Sequence, residues 1–99
     1  MKIQKISEEN LNSAVQGLKA IAHPARLKIL CYLQGKESTV NEIKEMTQMS
    51  QSAVSQHLGK MKAFGVLVDR RDGNRVYYSL SDTEYGNLVN ALCTIYDNK

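Results

Sequence analysis

The sequence predicts a small, mainly α-helical fold that carries a two-stranded β-hairpin. Three observations support this. Apolar residues recur at helical spacing along most of the chain, Met46 to Lys60 has the form of a tight turn followed by a helix, and Asp72-Gly73 separates two extended runs. With 99 residues and 42% hydrophobic content, the chain is long enough for one compact domain, which we expect to span residues 1–99.

Two helices are predicted before the turn-and-helix segment. The first runs from Glu8 to Ala22 and is capped by Ser7, with its apolar stripe at Leu11, Val15, Leu18 and Ala22. The second begins at Pro24, a residue that suits a first helical turn, and ends near Gly35. Its stripe consists of Leu27, Leu30, Cys31 and Gln34. Cys31 is therefore expected to point inward or nearly so.

The turn and the helix that follows it carry the strongest functional signal. A short third helix is predicted after Thr39, and Ser50 is the expected cap of the fourth. Val54, Leu58 and Met61 would hold the fourth helix against the core. Its opposite face carries short donor and acceptor groups that suit base edges and phosphates, together with one cation: Gln51, Ser52, Ser55, Gln56, His57 and Lys60. These residues are candidate DNA contacts.

Two extended runs, Val66 to Arg71 and Asn74 to Leu80, predict a hairpin that forms a wing beside the fourth helix. Alternation along the second run places Val76, Tyr78 and Leu80 on the face toward the core. Arg75, Tyr77 and Ser79 are placed on the face toward solvent. Asn74 and Arg75 are candidates for contacts with the minor groove or with phosphates. The alternative is that they form a solvated hairpin tip.

The last predicted helix runs from about Asp82 to Tyr96, with Ser81 as its cap. Its stripe of Tyr85, Leu88, Leu92 and Ile95 is too apolar for an exposed terminal helix, so it needs a partner surface. A homodimer that pairs through its terminal helices would supply one. The order of elements is that of a winged helix-turn-helix.

The charge pattern agrees with a nucleic-acid partner but does not establish one. The net charge is only +3, yet the stretch from His57 to Arg75 holds Lys60, Lys62, Arg70, Arg71 and Arg75 against two aspartates. These cations are either solubilising charges or phosphate contacts, and Lys60 is the best candidate for a contact. The N-terminus lacks the apolar segment of a signal peptide, and no apolar run approaches the ~20 residues of a membrane span, so we expect a cytoplasmic protein.

Three stretches resemble the ArsR/SmtB family of bacterial repressors. Residues 18–30 (LKAIAHPARLKIL) resemble the start of the family's second helix, residues 50–58 (SQSAVSQHL) its recognition helix, and residues 73–80 (GNRVYYSL) its wing. The resemblance spans Leu18 to about Tyr96. It implies a dimeric repressor that binds palindromic operator DNA.

The metal-sensing branches of that family are not favoured. They carry paired thiolates on the helix before the recognition helix, or Asp and His ligands along the last helix. Here residues 39–43 (TVNEI) contain no cysteine and the last helix contains no histidine, so we expect neither a metal nor a cofactor. His23, before Pro24, is interpreted as a residue that starts a helix and not as a ligand.

The thiol-based branch fits better, namely the sulfide- and persulfide-responsive repressors and the related haemolysin regulators of vibrios. Cys31 and Cys93 are the only cysteines and resemble the positions of that branch's cysteine pair. The resemblance implies a dithiol switch that responds to reactive sulfur species or oxidants. Lys28 lies one turn before Cys31 and favours its thiolate, whereas Cys93 lies near the negative end of its helix, so Cys31 is expected to react first.

Several alternatives remain open at this stage. From periodicity alone, Cys31 and Cys93 would be buried structural thiols. The protein would then be a constitutive DNA binder that activates transcription by displacing another DNA-binding protein. A thiol enzyme would need an accessible cysteine with a nearby base, and the sequence shows no such arrangement. A module that binds only proteins is the last alternative, and it predicts no DNA binding at low salt.

Overall fold

The computed structural model describes residues 6–82 and 84–96, which form five helices and one small antiparallel sheet. The helices are α1 (Glu8–Ile21), α2 (Pro24–Tyr32), α3 (Val40–Thr47), α4 (Gln51–Ala63) and α5 (Glu84–Tyr96). The strands are β1 (Ser38–Thr39), β2 (Leu67–Asp72) and β3 (Arg75–Leu80), in the spatial order β1-β3-β2. The predicted winged helix-turn-helix is confirmed.

Side-chain caps fix the starts of four helices. The predicted caps Ser7 and Ser50 each accept a hydrogen bond from the backbone N–H three residues further on. Thr39 and Glu42 form a reciprocal capping box at the start of α3. His23 caps α2, because its Nδ1 atom accepts a hydrogen bond from the backbone N–H of Ala25, which confirms the role predicted for it.

The core lies where α2, α3, α4 and α5 meet the base of the sheet. Val54, Leu58 and Met61 of α4 are fully buried, as predicted. The remaining buried members of the core are Ile21, Ile29, Leu30, Leu33, Ile43, Val66, Leu67 and Val89. Because α4 is anchored along its whole apolar face, its polar face has a fixed direction relative to the rest of the domain.

The sheet differs from the predicted two-stranded wing by one additional strand. Ser38 and Thr39 pair with Tyr78 and Tyr77 of β3, so the wing is anchored to the residues just before α3. A two-residue strand is too short to show alternation, and its partner lies about 40 positions away, so no local signal marks it. Tyr77, expected on the face toward solvent, is half-buried. The Arg70 guanidinium lies 4.6 Å from the centre of the Tyr77 ring.

Other boundaries shift by one to three residues. α1 ends at Ile21 and α2 ends at Tyr32, while the part of α5 that the structure describes runs from Glu84. The hairpin turn lies between β2 and β3, with Gly73 at a φ of 63°, a left-handed conformation that glycine adopts without strain. None of the helices within the described residues is both long and apolar enough to cross a membrane.

Two helical glycines predict opposite responses to the same substitution. A Cβ atom at Gly86 would overlap the backbone carbonyl oxygen of Ser81, whereas a Cβ atom at Gly59 would meet nothing within 4 Å. We expect Gly86→Ala to lower the free energy of unfolding by about 1–3 kcal/mol through overpacking. Gly59→Ala should raise it by up to about 1 kcal/mol, because alanine favours the helix.

Urea denaturation at a fixed protein concentration under reducing conditions measures both changes. The two variants serve as each other's control, since each adds one methyl group to a helix. A Gly86→Ala variant as stable as the wild type would contradict the close approach of α5 to Ser81.

Candidate nucleic-acid interface and cysteine pair

The polar face of α4 is presented to solvent. Its exposed members are Gln51, Ser52, Ser55, Gln56 and Lys60. The left-handed conformation of Gln48, with a φ of 62°, ends α3 and turns the chain into Ser50 and α4. α3 and α4 therefore form the predicted helix-turn-helix, and α4 has the geometry of its second helix.

The start of α4 and the tip of the wing line one cleft. The volume of this cleft is about 460 Å³, and its lining includes Gln51, Asn74 and Arg75 together with the first residues of α3. The pKa of Glu42, which also lines it, lies below its ordinary value, mainly because the Thr39 backbone N–H donates to its carboxylate. The structure thus brings three of the predicted contact residues together, while the others follow along α4.

His57 has a different environment from the rest of the row. It is half-buried, and its Nδ1 atom accepts a hydrogen bond from Nε of Arg26 at 3.0 Å. The centre of its ring lies 4.9 Å from that of His23. The pKa of His57 lies below its ordinary value, first because burial penalises the charged form and then because Arg26 and His23 are close.

Two of the five cations between His57 and Arg75 form ion pairs with residues that the structure describes. Lys62 lies 2.9 Å from an Asp69 carboxylate oxygen, and this hydrogen bond raises the pKa of Lys62. Arg70 donates through two nitrogens to Glu37, with Nε 2.8 Å from Oε2. Among the described residues, Lys60 has no such partner, so its ammonium group is available to a phosphate.

A disulfide joins Cys31 of α2 to Cys93 of α5, across 62 positions of sequence. Their Cα atoms are 6.0 Å apart, within the range that disulfide bonds require. Both cysteines are half-buried. In the turn just after α2, the Gln34 amide nitrogen donates to the side-chain oxygen of Asn90 of α5 at 2.6 Å. A covalent bond and a hydrogen bond therefore link α5 to α2 and to the turn that follows it.

A cleft of about 440 Å³ opens beside the two sulfur atoms. Its lining consists of Leu27, Cys31, Gln34, Leu92, Cys93, Thr94 and Tyr96. Both cysteines line the cleft, and redox chemistry there would make or break the bond between α2 and α5. Within residues 6–82 and 84–96, no group of three or more metal-ligating side chains comes together.

The outer faces of the terminal helices are apolar and exposed. Leu11, Val15 and Leu18 of α1 have exposed fractions of 42%, 46% and 52%, whereas its inner face packs through Gly17, Ala20 and Ile21. On α5, Leu88, Ile95 and Tyr96 are also exposed. Exposed apolar side chains that line up along one helix face are typical of an interaction site.

Sequence reasoning did not identify three of the contacts that shape these sites. Arg26 bonds to a residue 31 positions away, and Gln34 bonds to one 56 positions away. Glu37, which holds Arg70 at the wing, pairs across 33 positions. Partners this distant leave no local pattern, so only the fold reveals them.

Comparisons with known proteins agree with this geometry. The family model described as "Bacterial regulatory protein, arsR family" matches residues 23–67, from the start of α2 into β2. The transcriptional activator HlyU of Vibrio cholerae is 38% identical over 96 residues, which cover 97% of this chain and 88% of the relative. A biofilm growth-associated repressor of Xylella fastidiosa is 34% identical, covering 90% and 78% of the two chains.

Solved structures show the same architecture. A structure of HlyU from Vibrio cholerae matches with a TM-score of 0.84 at 39% identity, covering 91% of this chain and 98% of that one. The homodimeric winged helix-turn-helix DNA-binding domain of a possible ArsR-family regulator from Mycobacterium bovis matches with a TM-score of 0.82 at 28% identity, covering 98% and 91%.

Proposed function

Because the chain belongs to the ArsR family of bacterial regulatory proteins, we propose that it is a homodimeric repressor whose operator affinity is set by Cys31 and Cys93. Membership confirms the resemblance found in the sequence, and the relatives are transcriptional regulators, not enzymes. In this proposal residues 1–99 form one DNA-binding domain that acts on the bacterial nucleoid in the cytoplasm.

The exposed polar row on α4 supports the DNA-reading part of the proposal. Gln51, Ser52, Ser55 and Gln56 project from a helix whose other face is fully buried, so the helix can enter a major groove without disturbing the core. Asn74 and Arg75 extend the same surface to the minor groove or the flanking phosphates. His57 lies behind this row, with its Nδ1 atom bonded to Arg26.

The exposed apolar faces of α1 and α5 support the homodimer. Two copies that paired through these faces would bury them and would present two α4 helices to one side of a palindrome. The half-sites of such an operator lie one helical turn, about 34–36 Å, apart. A relative described as homodimeric has the same fold.

The bond between α2 and α5 is the observation that carries the switch. In the reduced protein, the Cys31 thiolate attacks the terminal sulfur of a persulfide. The remainder of the persulfide leaves as a thiol, and Cys31 carries the extra sulfur. The Cys93 thiolate then attacks Cys31 Sγ, which forms the disulfide and releases hydrosulfide. The persulfide is reduced and the two thiols are oxidised, so no other oxidant is needed.

The Cys31–Cys93 disulfide would change DNA affinity by changing the position of α5. α5 carries part of the apolar outer face, and the bond sets its position relative to α2. A small change in that position alters the spacing of the two α4 helices in the dimer. To weaken operator binding tenfold, the disulfide form need disfavour the DNA-bound spacing of the two α4 helices by only about 1.4 kcal/mol.

The proposal is tested by fluorescence anisotropy with a labelled duplex that the reduced protein has selected from random-sequence DNA at pH 7.5. The reduced protein should bind it tightly, and treatment with an organic persulfide should weaken binding at least tenfold. Intact mass spectrometry should show the loss of two hydrogens, the signature of an internal disulfide. Unchanged affinity after the disulfide has formed would overturn the switch.

A second candidate is a constitutive DNA binder that activates transcription by displacing another DNA-binding protein. It is favoured by the relative named a transcriptional activator. In that case the two cysteines are structural, and binding is the same in the reduced and disulfide forms. The anisotropy comparison separates the two candidates directly.

Lys60 and Lys62 give a matched test of phosphate contact. If Lys60 neutralises one phosphate in each protomer, Lys60→Gln should reduce the slope of log affinity against log salt by about 0.9 per protomer. Lys62→Gln removes the same charge from a lysine already paired with Asp69, so its slope should stay close to that of the wild type. Equal changes in both variants would contradict a specific contact by Lys60.

A further inference from the structure

Arg26 connects three helices. Its Nε atom donates to Nδ1 of His57 in the middle of α4, and one of its terminal nitrogens donates to the backbone carbonyl of Ala20 at 3.3 Å, near the end of α1. Arg26 itself lies in the first turn of α2. Both hydrogen bonds are partly buried, so water competes for them less than it does at the surface.

We propose that Arg26 is a positioning residue for α4 that acts through the neutral imidazole of His57, and that DNA affinity therefore falls when His57 is protonated. The inference rests on α4 being the DNA-reading helix. An imidazole accepts a hydrogen bond at Nδ1 only while that nitrogen carries no proton. Protonation removes the acceptor and places a second positive charge against the Arg26 guanidinium. The contact then changes from an attraction to a repulsion.

Within residues 6–82 and 84–96, no negatively charged group is found to offset the charge of a protonated His57. Arg26 and His23, both from the start of α2, act on the imidazole, and both oppose its protonation. α1 contributes the Ala20 carbonyl, which holds Arg26 in place. Among the described residues of α3 and β2, which also pack against α4, no carboxylate contributes to the electrostatics of His57.

The direction of the pH effect follows from the lowered pKa of His57. The folded protein favours the neutral ring, so this contribution to stability is complete above the ordinary pKa of about 6.5. It is lost as the pH falls through the lower pKa of the folded state. DNA binding should weaken in that same window, below about pH 6.5. A histidine that touched phosphate would do the opposite, because its charge would add affinity as the pH falls.

The experiment compares binding of the selected duplex at pH 7.5 and pH 5.5, at constant ionic strength, with reduced protein. We expect the wild type to bind at least threefold more weakly at pH 5.5. His57→Asn places a carbonyl oxygen near the position of Nδ1, and asparagine does not titrate. Between pH 7.5 and pH 5.5 the affinity of this variant for the duplex should therefore change by less than half as much as that of the wild type. His23→Asn is the matched control, because asparagine also caps a helix, and it should keep the wild-type fall.

NMR titration of the histidine ring protons gives a readout that does not depend on DNA. Arg26→Met removes both the donor and the nearby positive charge, so the pKa of His57 should rise toward its ordinary value. At pH 7.5 this variant should bind the duplex more weakly than the wild type. A pKa of His57 that Arg26→Met leaves unchanged would overturn the positioning role.

The binding data separate the failure of this inference from the failure of the proposed function. Wild-type affinity that is flat, or that rises on acidification, would overturn the positioning role while leaving DNA binding intact. A fall that persists in His57→Asn would do the same. Failure of the reduced protein to select or bind any duplex at either pH would overturn the proposed function itself.

Discussion

Serine in place of Cys31 or Cys93 is expected to abolish the response of operator binding to persulfide. Neither substitution should change the affinity of the reduced protein by more than about threefold, or about 0.7 kcal/mol. Serine is close to cysteine in size, and the hydrogen bond from Gln34, in the turn after α2, to Asn90 of α5 is retained. Fluorescence anisotropy before and after persulfide treatment measures both quantities.

The two variants should differ in the product that accumulates. If Cys31 is attacked first, Cys93→Ser stops with a persulfide on Cys31, an added mass of about 32 Da. Cys31→Ser should remain largely unmodified over the same time, because Cys93 lies near the negative end of α5 and forms its thiolate less readily. Intact mass spectrometry of samples quenched with an alkylating agent distinguishes these products.

The double serine variant is the control for side reactions. The chain has only two cysteines, so this variant contains no thiol and must neither gain mass nor lose affinity. A persulfide response that persisted in it would act on some other group and would rule out the dithiol switch. A normal response in both single variants would rule it out equally, since neither can form the bond between α2 and α5.

The element order was predictable from the sequence because each helix carries its own local signals. Ser7, Pro24 and Ser50 mark three starts, and the spacing of Val54, Leu58 and Met61 identifies the buried face of α4. The β1 strand was not predictable. Two residues that pair with β3 across a long stretch of chain obey no period, and only the folded wing brings them together.

The candidate site was predictable as a set of residues but not as a set of contacts. The polar row on α4 follows from periodicity, and the pairing of the two cysteines was implied by family resemblance alone. The environment of His57 illustrates the limit. It falls on the same side of the helix as residues that face solvent, yet Arg26 holds it from a helix 31 positions earlier. Side-chain reach and tertiary packing decide that outcome, and neither is encoded in spacing.

Leu18→Glu should disrupt the homodimer and with it nearly all tight operator binding. Leu18 lies in the exposed stripe of α1, with an exposed fraction of 52% in the single chain. Pairing through this stripe would bury the introduced carboxylate without a partner, which is costly. A monomer engages only one half-site, and losing the second typically removes a factor of about 10²–10⁴ in affinity.

Light scattering coupled to size-exclusion chromatography measures the loss of the homodimer. The wild type should have twice the mass of the 11.1 kDa chain, and Leu18→Glu should have the mass of one chain. Fluorescence anisotropy with duplexes of one and two half-sites measures the loss of operator affinity. The variant should bind both duplexes with similar, weak affinity, because the polar face of α4 is unchanged and only the coupling between protomers is lost.

Asn87→Glu provides the matched control for Leu18→Glu. It adds the same charge to an exposed polar position of the other terminal helix, about a quarter turn around the helix axis from Leu88 and Ile95. It should remain dimeric and keep operator affinity within about threefold, since surface substitutions of this kind typically cost little. Dimeric mass in Leu18→Glu would show that the protomers meet elsewhere. Monomeric mass with undiminished affinity for two half-sites would show that operator binding does not depend on the dimer.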